Sequence, residues 1–181
     1  QSTTGDLSIT GNNFNNTLNA SSFTGFDHDA NKGLTIDGGG GVDTITGTGF
    51  NDIITGGAGG DIITAGAGSD TITGGANSDT FIFNSVSGVD TIVDYNVADD
   101  SIQLSKAIFT GLGDIGVLSS GEFASGAGTT AAADATDRIV YDTTSGNLYY
   151  DADGLGGDAA VQIATFTGTP TLLSSEFAII A

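Results

Sequence analysis

The sequence predicts an all-β fold: a parallel solenoid of 18-residue rungs, capped by a small antiparallel β region at its C-terminal end. Three observations carry this. The chain holds 30 Gly and a single Pro, Pro170, in 181 residues, and Gly is the residue that makes tight, stacked turns possible. Its 22 acidic residues are all Asp except Glu122 and Glu176, and Asp favours turns and caps over helix surfaces. Large apolar residues recur every ninth position through the middle of the chain, the spacing of a stacked repeat.

Taken in order, the chain divides into 1–37, irregular N-terminal solenoid rungs; 38–100, the repeat proper; and 101–181, a C-terminal β cap. In the first part, Ile9, Leu18 and Ile36 lie in phase with Ile45, so the solenoid is expected to start near residue 6. The segment GNNFNNTLN, from Gly11 to Asn19, copies the later GTGFNDIIT with Asn16 in place of Asp52, and reads as a degenerate turn. FTGFDHDANKG follows as a longer surface loop, in which Asp27, Asp29 and Asn31 alternate around His28.

From Gly38 to Ile82 the sequence falls into five consecutive nonapeptides: GGGGVDTIT, GTGFNDIIT, GGAGGDIIT, AGAGSDTIT and GGANSDTFI. The sixth position is always Asp (Asp43, Asp52, Asp61, Asp70, Asp79), and the eighth is Ile45, Ile54, Ile63, Ile72 or Phe81. Six Gly-rich residues make a turn and three make a short strand whose middle side chain points inward. Two nonapeptides complete a rung. Residues 18 apart then stack, with Asp43, Asp61 and Asp79 on one edge and Asp52 and Asp70 on the other. Carboxylates about 5 Å apart repel by roughly 1 kcal/mol in water and by more in a lower dielectric. The formal net charge of -19, with only Lys32, Lys106 and Arg138 as basic residues, leaves the compensation to cations from solution.

Calcium suits this column: it takes six to eight oxygens, which carboxylates and turn carbonyls supply. Zn²⁺ is disfavoured by the absence of Cys and the single His28, and Mg²⁺ by its demand for a tight, water-rich octahedron. The pairs 43/61, 52/70 and 61/79 imply several Ca²⁺ ions. The candidate ligand turns comprise Gly38, Gly39, Gly40, Gly41 and Asp43; Gly47, Gly49 and Asp52; Gly56, Gly57, Ala58, Gly59 and Asp61; Gly66, Ala67, Gly68 and Asp70; and Gly74, Gly75, Asn77 and Asp79. Asp61, shared by two rungs, is the position where substitution by Ala is expected to hurt most.

The nonapeptide GGxGxDxUx, with U large and apolar, is that of the RTX (repeats-in-toxin) calcium-binding family, which the chain resembles from about Gly38 to its end. The resemblance implies a β-roll that folds on binding Ca²⁺. The stretch SGVDTIVDYNVADDSIQLS, with Asp90, Asp94, Asp99 and Asp100, resembles the segment following the roll in serralysin-type proteases, and on that likeness Asp94 and Asp100 close the last metal sites. The tail Glu176, Phe177, Ala178, Ile179, Ile180 and Ala181 resembles the C-terminal signal of proteins exported by type I secretion. It implies an exporter as partner and a secreted, extracellular or cell-surface location.

In the last third, RIVY, NLYYD and AAVQIATF read as strands and 124–137 as an exposed loop. In DADGLGGD, Asp151, Asp153 and Asp158 either hold a further Ca²⁺ or form a hydrogen-bonded turn. A chain beginning with Gln1 is expected to be part of something longer, without an N-terminal signal peptide. With so few Lys and Arg, nucleic acid and anionic membranes are not expected partners, and no apolar run reaches membrane-spanning length. A single His outside any motif and no phosphate-binding loop point to a non-catalytic module, any active site lying upstream in a parent enzyme. Two other classes fit the composition. One is a self-associating surface-layer protein. The other is an adhesin or ice-binding solenoid, because Thr46, Thr55, Thr64 and Thr73 recur at nine-residue spacing and should stack 46 over 64 and 55 over 73.

Overall fold

A unit with one inward-pointing residue per nine supplies half a rung, so successive units must alternate between two facing sheets. The computed structural model, which describes residues 7–25 and 31–181, has this arrangement. In chain order the strands are β1 (Ser8–Asn12), β2 (Thr17–Asn19), β3 (Lys32–Gly40), β4 (Thr44–Thr46), β5 (Asn51–Ala58), β6 (Ile62–Thr64), β7 (Thr71–Ala76), β8 (Thr80–Phe83), β9 (Asp90–Ile92), β10 (Ser101–Ser105), β11 (Gly116–Val117), β12 (Phe123–Gly126), β13 (Ile139–Asp142), β14 (Asn147–Tyr150), β15 (Val161–Phe166) and β16 (Phe177–Ile180). Two single 3-10 turns, Ser120–Glu122 and Ser174–Glu176, complete the secondary structure, and there is no α-helix among the described residues.

One sheet runs β1-β3-β5-β7-β9-β15-β14-β13-β12 and the other β11-β16-β10-β8-β6-β4-β2. Through the repeat every pairing is parallel and in the expected phase. Ile36 lies beside Ile54, and Ile54 beside Ile72, in the first sheet; Ile45, Ile63 and Phe81 line up in the second. All six are at most 3 % exposed and form two facing aliphatic columns in a single core. The degenerate N-terminal rung joins them, with Ile9 beside Ile36 and Leu18 beside Ile45. The solenoid thus extends back to Ser8, while Asp27, His28 and Asp29 lie outside the described residues.

The two sheets differ in one respect that the nonapeptide does not announce. β4 and β6 are three residues long, whereas β5 and β7 run on into the following turn, with Gly39, Gly57 and Gly75 in register. These glycines have φ of 94°, 113° and 109°, and a Cβ at Gly57 or Gly75 would collide with the carbonyl of the glycine one rung before. The ladder continues into the turn because no side chain stands in the way.

The C-terminal third contains the expected antiparallel element, β13-β14-β15, and it caps the roll by adding strands to its last edges. β15 pairs in parallel with β9, and β16 in parallel with β10, so both sheets pass without a break from the repeat into this region. The segment expected as an exposed loop over 124–137 begins as strand, since β12 pairs with β13 through Gly126. Phe177 and Ile179 of the tail are 1 % and 2 % exposed, with Ala178 and Ile180 alternating outward.

The inward and outward assignments predict unequal responses to truncation. Ile63→Ala, at a buried position, should cost about 2–5 kcal/mol of folding free energy, and Ile62→Ala, 40 % exposed, no more than about 1. Denaturant unfolding at saturating calcium measures both. Equal losses would contradict the sheet orientation.

Candidate metal centre

The strands place the five repeat aspartates at the start of each strand, and parallel stacking brings them into two columns along the two edges. Within a column the contact is specific. The Asp43 N–H donates to Asp61 Oδ1 at 2.7 Å, the Asp61 N–H to Asp79 Oδ1 at 2.8 Å, and the Asp79 N–H to Asp100 Oδ1 at 2.9 Å. On the other edge the Asp52 N–H donates to Asp70 Oδ1 at 2.7 Å and the Asp70 N–H to Asp90 Oδ1 at 3.0 Å. The first column starts one rung earlier, where the Asn16 N–H donates to Asp43 Oδ1, and the second with the Leu34 N–H donating to Asp52 Oδ1. Each carboxylate therefore spends one oxygen on the backbone of the preceding rung. Sharing between two rungs is not special to Asp61; Asp43, Asp52, Asp70 and Asp79 share in the same way.

The second oxygens are the chemically open ones. Oδ2 of Asp43, Asp61, Asp70 and Asp79 is buried with no hydrogen-bond partner, although these residues are at most 1 % exposed. Burying an uncompensated carboxylate costs on the order of several kcal/mol, and the titration behaviour reflects that cost. Burial pushes Asp61 up, raises Asp79 to about 6, and raises Asp100. Asp70 and Asp90, which face each other, are likewise both raised by burial. Among the described residues no donor hydrogen-bonds to these four oxygens. Lys106 is bound to the carbonyls of Leu112 and Gly113, and Arg138 to those of Gly111, Ala135 and Asp137, all in the C-terminal third.

Three of the four open oxygens, those of Asp43, Asp61 and Asp79, face a space that a glycine leaves empty, whereas the turn before Asp70 begins with Ala65. A Cβ at Gly56 would lie 2.5 Å from Asp61 Oδ2 and 2.5 Å from the Gly74 carbonyl oxygen. At Gly38 the same construction meets Asp43 Oδ2 and the Gly56 oxygen, each at 2.5 Å, and at Gly74 it meets Asp79 Oδ2 at 2.5 Å. Carboxylate and carbonyl oxygens converge there without a donor between them, and the donor set is all oxygen, which suits a hard divalent cation. Among the described residues no three Asp, Glu or His side chains gather into a cluster of their own. A cation would therefore draw on main-chain carbonyls as much as on carboxylates.

The RTX calcium-binding nonapeptide repeat matches residues 35–54 and 46–81, in 4 copies. Residues 35–81 are an RTX repeat block. No curated protein matches the chain. Among solved structures it is similar to the AlgE6R3 subunit of the Azotobacter vinelandii mannuronan C5-epimerase, with a TM-score of 0.48 and 22% identity over 92% of this chain and 78% of that one. It is also similar to the AlgE6R2 subunit of that epimerase, with a TM-score of 0.41 and 16% identity over 96% and 91% of the two chains.

The structure also places the candidates outside the RTX block. Asp100 continues the first column, and its Oδ2 accepts from the Asn96 N–H at 2.8 Å. Asp94 is not in a column: its two oxygens accept from the N–H groups of Gly74 and Gly75, at 2.8 and 2.9 Å, and cap that turn. The residue that continues the second column is Asp90, which the strict nine-residue register passes over because it lies 20 residues after Asp70. Asp151 forms a hydrogen-bonded turn, with Oδ1 accepting from Gly154 N–H at 2.9 Å, while the exposed Asp153 and Asp158 are joined by the Asp158 N–H at 3.4 Å. The threonine ladders have the expected register, Thr46 beside Thr64 and Thr55 beside Thr73, and each is two threonines long, flanked by Ile82 and Asp37.

The raised carboxylates set the pH dependence of the calcium-free chain. Their folded values lie above the unfolded value near 3.8, so the folded state binds more protons, and stability falls as pH rises through the folded values. With calcium removed, folding should be strongest near pH 4 and should decline through about pH 6, the value of Asp79, and above. Circular dichroism in metal-free buffers across that range reads it; a calcium-free stability that increased with pH would contradict the buried, unpaired state of Oδ2.

Proposed function

We propose that the chain is a non-catalytic calcium-loaded folding module of a larger exported protein. The observation that carries the reading is the set of four buried Oδ2 atoms without partners, lying in turns that the RTX repeat covers at residues 35–81. Without calcium these carboxylates oppose folding; bound calcium converts ligand binding into folding free energy, about 2.7 kcal/mol per site at a hundredfold excess over Kd. Asp43, Asp61, Asp70 and Asp79 are the carboxylate ligands in this reading, with carbonyls of the Gly38–Gly41, Gly56–Gly59, Gly66–Gly68 and Gly74–Asn77 turns completing the shell.

The same chemistry would work as a switch across a membrane. At low cytosolic calcium the repeats stay open enough to pass an exporter; at the millimolar calcium outside the cell they close. The tail supports this order of events, since Phe177 and Ile179 are buried in the folded state and a type I exporter would meet them only before folding. Residues 38–100 then serve as the ion-loaded roll, 1–37 as its irregular first rungs, and 101–181 as the region that extends both sheets. No helix among the described residues is long and apolar enough to cross a membrane.

Far-UV circular dichroism of the chelated chain, titrated with Ca²⁺ and separately with Mg²⁺ near pH 7.5, tests the reading. A cooperative rise in β signal and melting temperature with Ca²⁺ alone is expected, with Asp61→Ala needing more Ca²⁺ to reach it. A roll equally folded and equally stable in chelator would sink the switch.

A further inference from the structure

The five repeat turns are not alike, and the difference sorts them into open and closed. In four of them the second and fourth residues have positive φ: Gly39 and Gly41 at 94° and 96°, Gly57 and Gly59 at 113° and 135°, Gly66 and Gly68 at 108° and 117°, Gly75 and Asn77 at 109° and 81°. These four turns end in Asp43, Asp61, Asp70 and Asp79, the aspartates whose Oδ2 has no partner. The remaining turn, Gly47–Asp52, has Thr48 and Phe50 at those two positions, and neither has positive φ.

That change in backbone redirects a donor. The Thr48 N–H points at its own turn's aspartate and donates to Asp52 Oδ2 at 2.6 Å, while the Thr48 hydroxyl lies 2.9 Å from Oδ2 and 3.0 Å from Oδ1. Thr48 is 4 % exposed, so the contact is shielded from water. Phe50 holds the turn in this shape from outside, its ring edge-on to Phe23 at a centroid distance of 5.9 Å. The same link, from an N–H to the Asp or Asn four residues on, occurs at both ends of the other column, from Asn12 to Asn16 and from Asn96 to Asp100. Glycine with positive φ at the second position leaves the carboxylate oxygen for a cation; an ordinary residue there fills it with hydrogen.

We infer that the turn Gly47–Asp52 is closed by the protein itself, that Asp52 is not a calcium ligand, and that Thr48 and Phe50 decide this. The inference rests on reading the RTX block as a calcium module, and it removes the 52/70 pair from the sites that the sequence alone implies. A cation cannot share Oδ2 with two donors aimed at it, because calcium coordinates lone pairs and repels N–H and O–H hydrogens. One edge of the roll therefore carries three consecutive open turns, at Asp43, Asp61 and Asp79. The other carries a metal-independent turn at Asp52 followed by an open one at Asp70.

The test is a count of bound calcium, by calorimetric titration and native mass spectrometry on the full chain, for the parent and three variants: Asp52→Asn, Asp61→Asn, and Thr48→Gly combined with Phe50→Gly. Asp61→Asn should bind fewer ions than the parent, and Asp52→Asn the same number with affinity changed less than about threefold. The double variant, with its turn reopened, should bind one more. If Asp52→Asn sheds an ion as Asp61→Asn does, the inference is overturned while the calcium module stands. A folded double variant with an unchanged count would overturn the role given to Thr48 and Phe50. If the double variant does not fold, the Asp52→Asn count alone decides whether the turn is closed. A parent chain that binds no calcium would overturn the calcium reading itself.

Discussion

Everything in this roll depends on how one carboxylate divides its two oxygens. Oδ1 accepts the backbone N–H of the rung before, and that bond fixes the stacking register. Oδ2 is left over, buried, and in four turns unanswered by any donor. A charge-assisted bond from a main-chain N–H is worth more than a neutral one, but it needs the carboxylate ionised, and ionisation in a closed turn is what burial opposes. The hydrophobic columns alone would not resolve this conflict. They would bring the rungs together and thereby intensify it.

Much of this was legible from residue order. Glycine, aspartate and a large aliphatic in a nine-residue period specified two sheets, the facing columns Ile36-Ile54-Ile72 and Ile45-Ile63-Phe81, and which aspartates lie over one another, because a rung of fixed length leaves little freedom in phase. The exceptions to the pattern were legible too, with Thr48 in place of the second glycine and Phe50 in place of the fourth. Their consequence was not, since it depends on where an N–H points once φ is negative. Asp90 escaped for a related reason. Its place in the column is set by a hydrogen bond from Asp70, and a hydrogen bond does not count residues, so a spacing of 20 serves as well as 18.

That independence from spacing explains how the roll ends. Asn16 and Asp43 are neighbours in the column although 27 residues apart, and Asp79 and Asp100 although 21 apart. The nonapeptide match stops at residue 81, yet the ladder passes beyond it in both directions. At the C-terminal side the buried Tyr95 ties the last turns together, donating toward the Asp100 carbonyl at 3.3 Å and Glu176 Oε2 at 3.2 Å. Burial and the Glu176 charge hold its phenol well above the ordinary tyrosine range, so it stays a donor. The aromatic series Phe81, Tyr95 and Phe166 carries the core from the repeat into the region where side-chain packing replaces periodicity.

The polarity of the ladder has an engineering consequence. Because each rung offers an N–H on one side and an Oδ1 on the other, every internal junction between rungs presents the same pair of surfaces. An 18-residue unit such as Gly56–Thr73 could be duplicated in place, and the new copy would find the same partners above and below. Each duplication would lengthen the molecule by about 4.8 Å and leave both ends untouched. The protein is in this sense a ruler whose graduations can be added one at a time, with its length written in whole rungs.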